Sequence, residues 1–469
     1  MVTTVTVTDT ETSTTTVEGD CYNGCMRNSL PASILTRGCS GQIIDEGTEL
    51  NATGITGNVE LIYTNSSDHY LRSFPILRNR EHIYMPKRGS DVNPYSSKIA
   101  EYNLLSKATN YLEIGTGSSD RIGSDNVSAT VMGYRRLFAT DMAIDYGDSH
   151  YYAFILDFEA NTVTEELDVD DTDPDESAPL SDVLSIQDSN GDIHLVGFGD
   201  LFGIVSDYCG MRVWHKNYTD ESTWTITTEH ATDEGVDVAY AGNTEYYTIV
   251  NNRYVVMFQR IYYRSGSGVG MGVYVFDIVD DSLDYTDIDY GSWESTPDMI
   301  FISVDHTNNK CYVYGSYYDP DADNNQHLIE FDPSTMAYSS VFESGASTGV
   351  LSTLTSNTHS YFYDDGDDSF YQSSNQALKF NYTLPHTYSH ERICFAVDDG
   401  DGLTGELVWF INTTTKHLYS IDMSGDIVDD LTLTITLNNY TMLFHLGNCL
   451  LLVTYDSVTP YNMYYYLIT

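Results

Sequence analysis

The stretch Val273-Tyr274-Val275-Phe276-Asp277 is a short alternating apolar run that ends on an aspartate, and its pattern returns along the chain. The other copies, two of them degenerate, lie at residues 99–103, 154–157, 212–217, 328–332, 378–381, 418–422 and 463–466. The closing Asp or Asn falls at 103, 157, 277, 332, 381 and 422, so the steps are 54, 120, 55, 49 and 41 residues. The step of 120 is a double one, with the copy at 212–217 in its middle. A recurrence of this length indicates one supersecondary unit that is repeated and packed on its neighbours.

Strand-type alternation in every copy predicts an all-β fold, a β-propeller with four strands in each blade. We assign the repeated stretch to the third strand of each blade. The Asp or Asn would then cap the hairpin to the fourth strand, because a short Asx side chain bonds its own backbone. Eight copies predict eight blades, and seven is the alternative because the sixth blade, at 349–390, is the weakest. Chance recurrence in a β-rich chain is the other explanation, and the near-regular spacing argues against it.

The two ends of the predicted propeller complement each other. Residues 59–63 form one strand too many for the first blade, whereas the last blade, at 439–469, shows only three strands. We therefore expect residues 59–63 to pair with residues 464–467 and to close the ring, which removes exposed sheet edges. Residues 1–57 are Thr-rich and then Gly- and Cys-bearing, and they predict an extended N-terminal arm or attachment segment. The expected division is this arm at 1–57 and the propeller at 58–469.

The charge of the chain is extreme. Its 21 Lys and Arg residues face 69 Asp and Glu residues, which gives a formal net charge of −48. Such a protein avoids nucleic acid and anionic membranes. Abundant Asp with scarce Lys resembles the proteins of extreme halophiles, in which 1 M salt screens repulsion beyond about 3 Å. An ordinary acidic or calcium-loaded secreted protein is the alternative.

The basic residues are unevenly placed, since 10 of the 21 fall between residues 72 and 136. This concentration indicates either a docking face for an acidic partner or internal ion pairing with the acidic blades. No apolar run is long enough for a transmembrane helix, and the N-terminus lacks the features of a signal peptide. Seven N-x-S/T sequons are present, at Asn51, Asn65, Asn126, Asn217, Asn381, Asn412 and Asn439.

The seven cysteines fall into two groups. Cys21, Cys25 and Cys39 cluster near the start, where no histidine and no fourth ligand are near. A local disulfide, for instance one that involves Cys39, is therefore favoured over a zinc site. The scattered cysteines, at 209, 311, 394 and 449, are expected to be buried small side chains.

The sharpest local motif is an acidic loop at 319–330 that is similar to the calcium loop D-x-D-x-D-G-x5-E. Three carboxylates at every second position can converge on one hard cation, and an Asn in place of the Gly tolerates the left-handed turn. A solvated acidic turn is the alternative, and the last glutamate also lies inside a repeat strand. The predicted Ca²⁺ ligands are Asp319, Asp321, Asp323, Asn325 through its backbone carbonyl, and Glu330.

Enzyme signatures are missing from the sequence, because no nucleophile elbow, zinc-protease helix, P-loop or dinucleotide fingerprint occurs. The 39 tyrosines are more informative. Doublets such as Tyr151-Tyr152 and the triplet Tyr464-Tyr465-Tyr466 place one ring outward when its neighbour points inward. Exposed Tyr suits a glycan- or protein-binding surface, since it offers contact area at a small entropy loss. Tyr that fills propeller strands is the alternative.

In composition and architecture, over its whole length, the chain resembles the tail-fibre, baseplate and other host-recognition proteins of tailed viruses that infect haloarchaea. No family motif carries the resemblance, so it assigns no functional residue. It implies a non-enzymatic virion protein that binds a host surface glycan or glycoprotein. It also implies contacts with other virion proteins through the N-terminal arm, and a homo-oligomer without nucleic acid or membrane insertion. The alternatives are a secreted halophilic propeller enzyme that acts on glycans and a cell-surface structural protein.

Overall fold

The computed structural model describes 28 stretches of the chain, and all of their regular structure is β-strand. These stretches are residues 21–22, 41–43, 57–67, 77–88, 97–114, 121–144, 149–170, 182–187, 192–200, 210–218, 225–231, 238–251, 253–263, 269–288, 300–305, 308–316, 326–344, 350–355, 360–364, 369–372, 377–381, 393–398, 407–412, 415–422, 426–437, 440–446, 449–455 and 461–469.

The strands form eight sheets in the described part of the chain. Sheet 1 contains β1 (Cys21–Tyr22), β2 (Gly41–Ile43), β4 (Leu77–Asn79), β5 (His82–Arg88), β6 (Ser97–Asn103) and β7 (Thr109–Ile114). The strand between β2 and β4 in the chain, β3 (Val59–Ser67), belongs to sheet 8. Sheet 2 contains β8 (Arg121–Gly133), β9 (Arg136–Ile144), β10 (Ser149–Asp157) and β11 (Thr162–Asp170). Sheet 3 contains β12 (Asp182–Gln187), β13 (Ile193–Asp200), β14 (Gly210–Asn217) and β15 (Thr225–Ala231).

Sheet 4 contains β16 (Val238–Val250), β17 (Tyr254–Tyr263), β18 (Val269–Asp277) and β19 (Ser282–Ile288). Sheet 5 contains β20 (Ile300–Asp305), β21 (Lys310–Ser316), β22 (Gln326–Asp332) and β23 (Ala337–Ser344). Sheet 6 contains β24 (Val350–Thr355), β25 (Ser360–Asp364), β26 (Ser369–Gln372) and β27 (Ala377–Asn381). Sheet 7 contains β28 (Ile393–Asp398), β29 (Leu407–Asn412), β30 (His417–Asp422) and β31 (Ile427–Thr432). Sheet 8 contains β32 (Tyr440–His445), β33 (Leu450–Tyr455), β34 (Tyr461–Ile468) and, as its last strand, β3.

Successive sheets pack face to face, so the protein is an all-β propeller. Each core cluster draws buried apolar side chains from two sheets that follow each other in the chain, and one cluster joins sheet 8 to sheet 1. At the junction of sheets 4 and 5, for example, the rings of Phe258 and Phe331 make an edge-to-face contact with their centroids 5.8 Å apart. The inner strands β20, β24 and β28 also approach one another in turn, which continues the succession through sheets 5, 6 and 7. The eight sheets of the described chain correspond to the predicted eight blades, and the blade count stays a prediction.

The predicted closure of the ring by the N-terminal strand is confirmed. β3 pairs antiparallel with β34, with Val59 opposite Ile468 and Tyr63 opposite Tyr465. Tyr63 is 6% exposed, and its ring lies 5.3 Å from that of Tyr465 and 6.3 Å from that of Tyr111 in sheet 1. Lys107 of sheet 1 donates to Glu60 of β3 at 2.5 Å. One strand near the N-terminus therefore holds the last sheet and the first sheet together.

The described part of the predicted arm contacts the propeller. β1 pairs antiparallel with β2, and β2 runs parallel to β4, with Gln42 opposite Leu77. These two short strands extend sheet 1 beyond its first strand. The contact of the arm with another subunit stays a prediction.

The third-strand assignment of the repeat is confirmed for seven copies and wrong for one. The copies at 154–157, 212–217, 273–277, 328–332, 418–422 and 463–466 lie on the third strand of their sheets, and the copy at 99–103 lies on β6, the third of the four strands β4–β7 in sheet 1. The copy at 378–381 lies on the fourth strand, β27, because β26 separates β27 from β25. The real third strand, β26, is four residues long, and its sequence Ser-Phe-Tyr-Gln carries no Asp or Asn.

Candidate functional site

The candidate site lies at the end of the sheets where the short turns are. Antiparallel strands place the connection from the first to the second strand, and that from the third to the fourth, at the same end of a sheet. Contacts between sheets align these ends, since Tyr134 of sheet 2 donates to Glu81 of sheet 1. We call this end the turn face. Its described residues are 80–81, 104–108, 134–135, 158–161, 192, 218, 251, 253, 278–281, 308–309, 333–336, 426, 446 and 449.

The predicted Asx capping of the third strand is confirmed for four copies of the repeat. Asn103 Oδ1 accepts from the backbone N of Leu105 at 2.9 Å and of Ser106 at 2.7 Å. Equivalent bonds run from the N of Ala160, Val279 and Ser334 to Asp157, Asp277 and Asp332 at 2.8, 2.9 and 2.9 Å. The residue four places after each Asx has a positive φ, at Lys107 (57°), Asn161 (56°), Asp281 (51°) and Met336 (58°). The repeat therefore builds the same turn in four sheets.

Each of these turns has an anchor that is buried, or half-buried in the case of Leu104, followed by an exposed tip. The anchor is the residue after the Asx, and Phe158 and Ile278 are 5% and 6% exposed. In three of the four turns the backbone N of the anchor donates to the carbonyl before the second strand, for example from Leu104 to Glu81 at 2.7 Å and from Ile278 to Arg253 at 3.1 Å. The fourth anchor, Pro333, has no N–H. The tip is the next residue, and it is exposed in all four turns: Leu105, Glu159, Val279 and Ser334. The tips are thus displayed on a fixed backbone.

Scarce basic residues hold the Asx side chains in place. Arg253 makes a bidentate pair with Asp277, with Nε–Oδ1 at 2.9 Å and Nη2–Oδ2 at 2.6 Å. Lys310 donates to Asp332 at 2.7 Å. Burial by itself raises the pKa of Asp277, but Arg253 and two backbone N–H groups outweigh it and hold this pKa below its ordinary value. The same balance, with Lys310 as the cation, lowers the pKa of Asp332.

Replacing Asp277 with Ala should lower the free energy of unfolding by about 1–3 kcal/mol, because Arg253 and the N of Val279 lose their acceptor. Asp277→Asn should cost less, since an amide oxygen still caps the turn. The matched control is Asp280→Ala, because this carboxylate is 65% exposed and also contacts Arg253. Urea unfolding of the three variants measures the difference. Equal losses for Asp277→Ala and Asp280→Ala would contradict the capping role.

A buried polar cluster joins sheets 1 and 2 beneath the turn face. Glu101 is 1% exposed and accepts from Arg135 at both oxygens, at 2.9 Å from Nε and 2.6 Å from Nη2. His82 is 3% exposed, with Nε2 at 2.9 Å from Asn103 and 3.9 Å from Glu101. Because Arg135 of sheet 2 pairs with both oxygens of Glu101 in sheet 1, this carboxylate links the two sheets.

The surroundings of His82 lower its pKa. Burial lowers its pKa below the ordinary value, although Glu101 and Glu81 act to raise it and Arg135 adds to the lowering. A lowered folded-state pKa means that the unfolded chain binds a proton first as the pH falls. The contribution of His82 to stability is therefore full above the ordinary pKa of about 6.5. It is lost progressively from there down to the lower pKa of the folded state.

The unfolding free energy should accordingly fall between pH 7 and pH 5, with a His82 contribution of at most about 1.4 kcal/mol per pH unit. In His82→Gln this part of the pH dependence should disappear, while a bond to Asn103 is retained. Chemical unfolding at a series of pH values in constant salt measures it. Identical pH profiles for the two proteins would contradict the assignment.

Of the predicted calcium ligands, Glu330 is the one that lies among the described residues. Its Oε2 accepts from the hydroxyl of Tyr312 at 2.8 Å, and its Oε1 lies 3.8 Å from Lys310 Nζ. Asp319, Asp321, Asp323 and Asn325 lie outside the described residues. Within the described part, no group of three or more His, Cys, Asp or Glu side chains is placed to hold a metal ion. The calcium site stays a prediction.

Addition of Ca²⁺ in molar KCl should raise the melting temperature if the loop at 319–330 binds it. A ligand at 100 times its Kd stabilises the folded state by about 2.7 kcal/mol. Asp321→Asn should abolish the effect, and Asp367→Asn, in another acidic stretch, serves as the matched control. Equal calcium responses of the parent protein and Asp321→Asn would refute this loop as the site.

Other predictions meet the structure in part. Tyr465 is 1% exposed, and Tyr464 and Tyr466 lie on the opposite side of β34 with ring centroids 6.5 Å apart, as the alternation predicts. These two rings are half-buried rather than outward-facing, and Tyr466 packs on the core between sheets 7 and 8. Cys311 and Cys449 are buried, as predicted, and both are thiols rather than members of a disulfide. Internal ion pairing is observed for Lys98, Lys107, Arg135 and Arg136 of the basic segment.

The exposed side chains of the turn face were not predicted. Leu105, Tyr134 and Val279 are 57%, 45% and 65% exposed. For the tips a signal existed, since each follows the Asx of the repeat by two residues. For Tyr134 no comparable repeat signal exists, and only the packing of sheet 2 on sheet 1 singles it out.

The chain was compared with protein families, with curated protein sequences and with solved structures. No protein-family model and no curated protein sequence matches it. Among solved structures, Sqt1 from Chaetomium thermophilum aligns with 88% of this chain over 97% of its own length, at 10% sequence identity and a TM-score of 0.47. The β-propeller domain of the Trilobed protease from Pyrococcus furiosus aligns with 79% of this chain over 98% of its own length, at 13% identity and a TM-score of 0.38. An α-L-arabinofuranosidase from Fusarium graminearum aligns with 74% of this chain over 94% of its own length, at 9% identity and a TM-score of 0.37. Similarity at this level assigns no activity to this chain. Among the described residues, no helix could span a membrane.

Proposed function

We propose that this protein is a non-enzymatic adhesion protein of a virus particle, which binds the host cell surface through its turn face. One observation carries the proposal. Side chains of apolar or aromatic character, Leu105, Tyr134 and Val279, are exposed on turns whose backbones are held by side-chain and backbone hydrogen bonds. Fixed loops on a rigid scaffold are where recognition residues are commonly found.

The energetics favour such a surface. Binding costs free energy when loops and side chains must be ordered, so a surface that is already ordered retains more of its contact energy. The anchors Phe158 and Ile278 supply this order, because they are buried beneath the tips. Many copies on one particle multiply weak single affinities, so each site needs only modest contact area.

The acidic surface points to a particle that works in strong salt. Because the protein carries a formal charge of −48, an anionic cell envelope does not attract it. Binding in strong salt therefore relies on short-range contacts. The halophilic virion assignment agrees with this charge, and the predicted arm at 1–57 is the candidate contact with other virion proteins.

Competition for adsorption tests the proposal. Purified folded protein, added in molar KCl to haloarchaeal cells before their tailed virus, should reduce the number of adsorbed particles. Leu105→Asp with Val279→Asp should lose this effect, whereas Thr432→Asp, at an exposed residue of β31 that pairs with His417 at the opposite end of the sheet, is the matched control. Unchanged adsorption at a saturating concentration of folded protein would overturn the proposal.

A further inference from the structure

Tyr134 stands out on the turn face because its ring is both exposed and held. It occupies the connection between β8 and β9, and 45% of its surface is exposed. Its hydroxyl donates to Glu81 Oε1 at 2.9 Å, and the edge of its ring packs on His82 with centroids 5.7 Å apart. The Arg80 guanidinium lies over the ring, 5.5 Å from its centroid. The hydroxyl and one face of the ring are thus held by neighbouring side chains, and the part of the ring that remains exposed is a preformed stacking platform.

Groups that bond hydroxyls surround this platform. Glu81 and Arg80 belong to the β4–β5 turn, and Glu159 is the exposed tip of the β10–β11 turn. The backbone N of Phe158 donates to Arg135 at 2.9 Å, which brings Glu159 beside the connection that carries Tyr134. We name Arg80, Glu81, Tyr134 and Glu159 the Tyr134 patch.

Charge decides which ligand suits the patch. The patch and the ion pair beneath it contain two positive groups, Arg80 and Arg135, and three negative groups, Glu81, Glu101 and Glu159. Arg135 is neutralised by Glu101, and Arg80 already lies on the Tyr134 ring. The patch therefore has no surplus positive charge for a carboxylate, sulfate or phosphate group. A ligand with an apolar ring face and uncharged hydroxyls at its edge matches both the platform and its surroundings.

We propose that the Tyr134 patch binds a neutral hexose unit of a surface glycan, with the apolar face of the sugar stacked on Tyr134. The sugar stacks on the face of the ring that Arg80 does not cover, and Glu81 or Glu159 accepts from a sugar hydroxyl. This inference rests on the proposed function and names its ligand class. Stacking on an aromatic ring contributes about 0.5–1.5 kcal/mol, so loss of the ring weakens binding up to about tenfold.

Saturation-transfer NMR in molar KCl tests the ligand class, with lactose, cellobiose and mannobiose as neutral probes and sialyllactose as the anionic one. We expect transfer to at least one neutral disaccharide and none to the sialic acid. Tyr134→Ala should remove the transfer, and Tyr134→Phe should keep most of it because the ring remains. Tyr111→Ala is the matched control, since this tyrosine is 44% exposed on β7 of sheet 1 and belongs to no such patch.

The two readouts separate the inference from the function on which it rests. No transfer to any neutral probe from a protein that still competes for virus adsorption would overturn the glycan inference alone. Transfer that is equal in Tyr134→Ala and Tyr111→Ala would overturn the site. Transfer that depends on Tyr134, in a protein that leaves adsorption unchanged, would support the ligand class and overturn the adhesion function. Melting temperatures of the variants in the same salt confirm that each is folded.

Discussion

An increase of the KCl concentration from about 0.1 M to about 3 M is expected to raise the melting temperature by at least about 10 °C. If each of the 21 basic residues paired with one carboxylate, the net charge of −48 would remain unpaired. At about 0.1 M salt the screening length is roughly 10 Å, which spans neighbouring sheets, whereas at 1 M it is about 3 Å. The described ion pairs are short local contacts, and they do not offset repulsion at longer range.

Thermal melting by circular dichroism measures this effect, with a chelator present so that calcium does not contribute. A sucrose series of matched osmolality is the control, because excluded solutes also stabilise compact states without screening charge. A melting temperature that does not change with KCl would contradict the halophilic assignment.

The second large effect is expected at the closure of the ring. Tyr63→Ala should lower the free energy of unfolding by about 3–5 kcal/mol, as for other large aromatic side chains removed from a core. Tyr63 is 6% exposed and packs on Tyr465 in its own sheet and on Tyr111 in sheet 1. Its loss leaves a cavity at the junction that β3 closes.

Leu61→Ala is the matched control on the same strand, because Leu61 is 50% exposed and its change should stay within about 0.5 kcal/mol. Urea unfolding in constant molar KCl measures both variants. Similar small effects for Tyr63→Ala and Leu61→Ala would show that β3 contributes little to the closed ring. A selective loss at Tyr63 would support the closure that the pairing of β3 with β34 describes.

Local patterns in the sequence predicted the third strand correctly for seven of the eight copies of the repeat. Alternation with a period of two, ended by Asp or Asn, predicted the third strand because both features act over a few residues. The copy at 378–381 failed, since Phe380 and Asn381 carry the same local pattern on a fourth strand. Pairing with β26 decides its place, and pairing is not a local property. The spare strand and the missing strand predicted the closure, because an unpaired edge is unfavourable wherever it lies.

The turn face required the tertiary structure. The sequence by itself determined that Asn103, Asp157, Asp277 and Asp332 end strands and cap turns, because that chemistry is local. It did not determine that Tyr134 meets Glu81 and Arg80, which lie more than 50 residues before it in the chain. Those contacts form only when sheet 2 packs on sheet 1. Packing also decided that Arg135 neutralises the buried Glu101, since a carboxylate without that partner would carry a large desolvation cost.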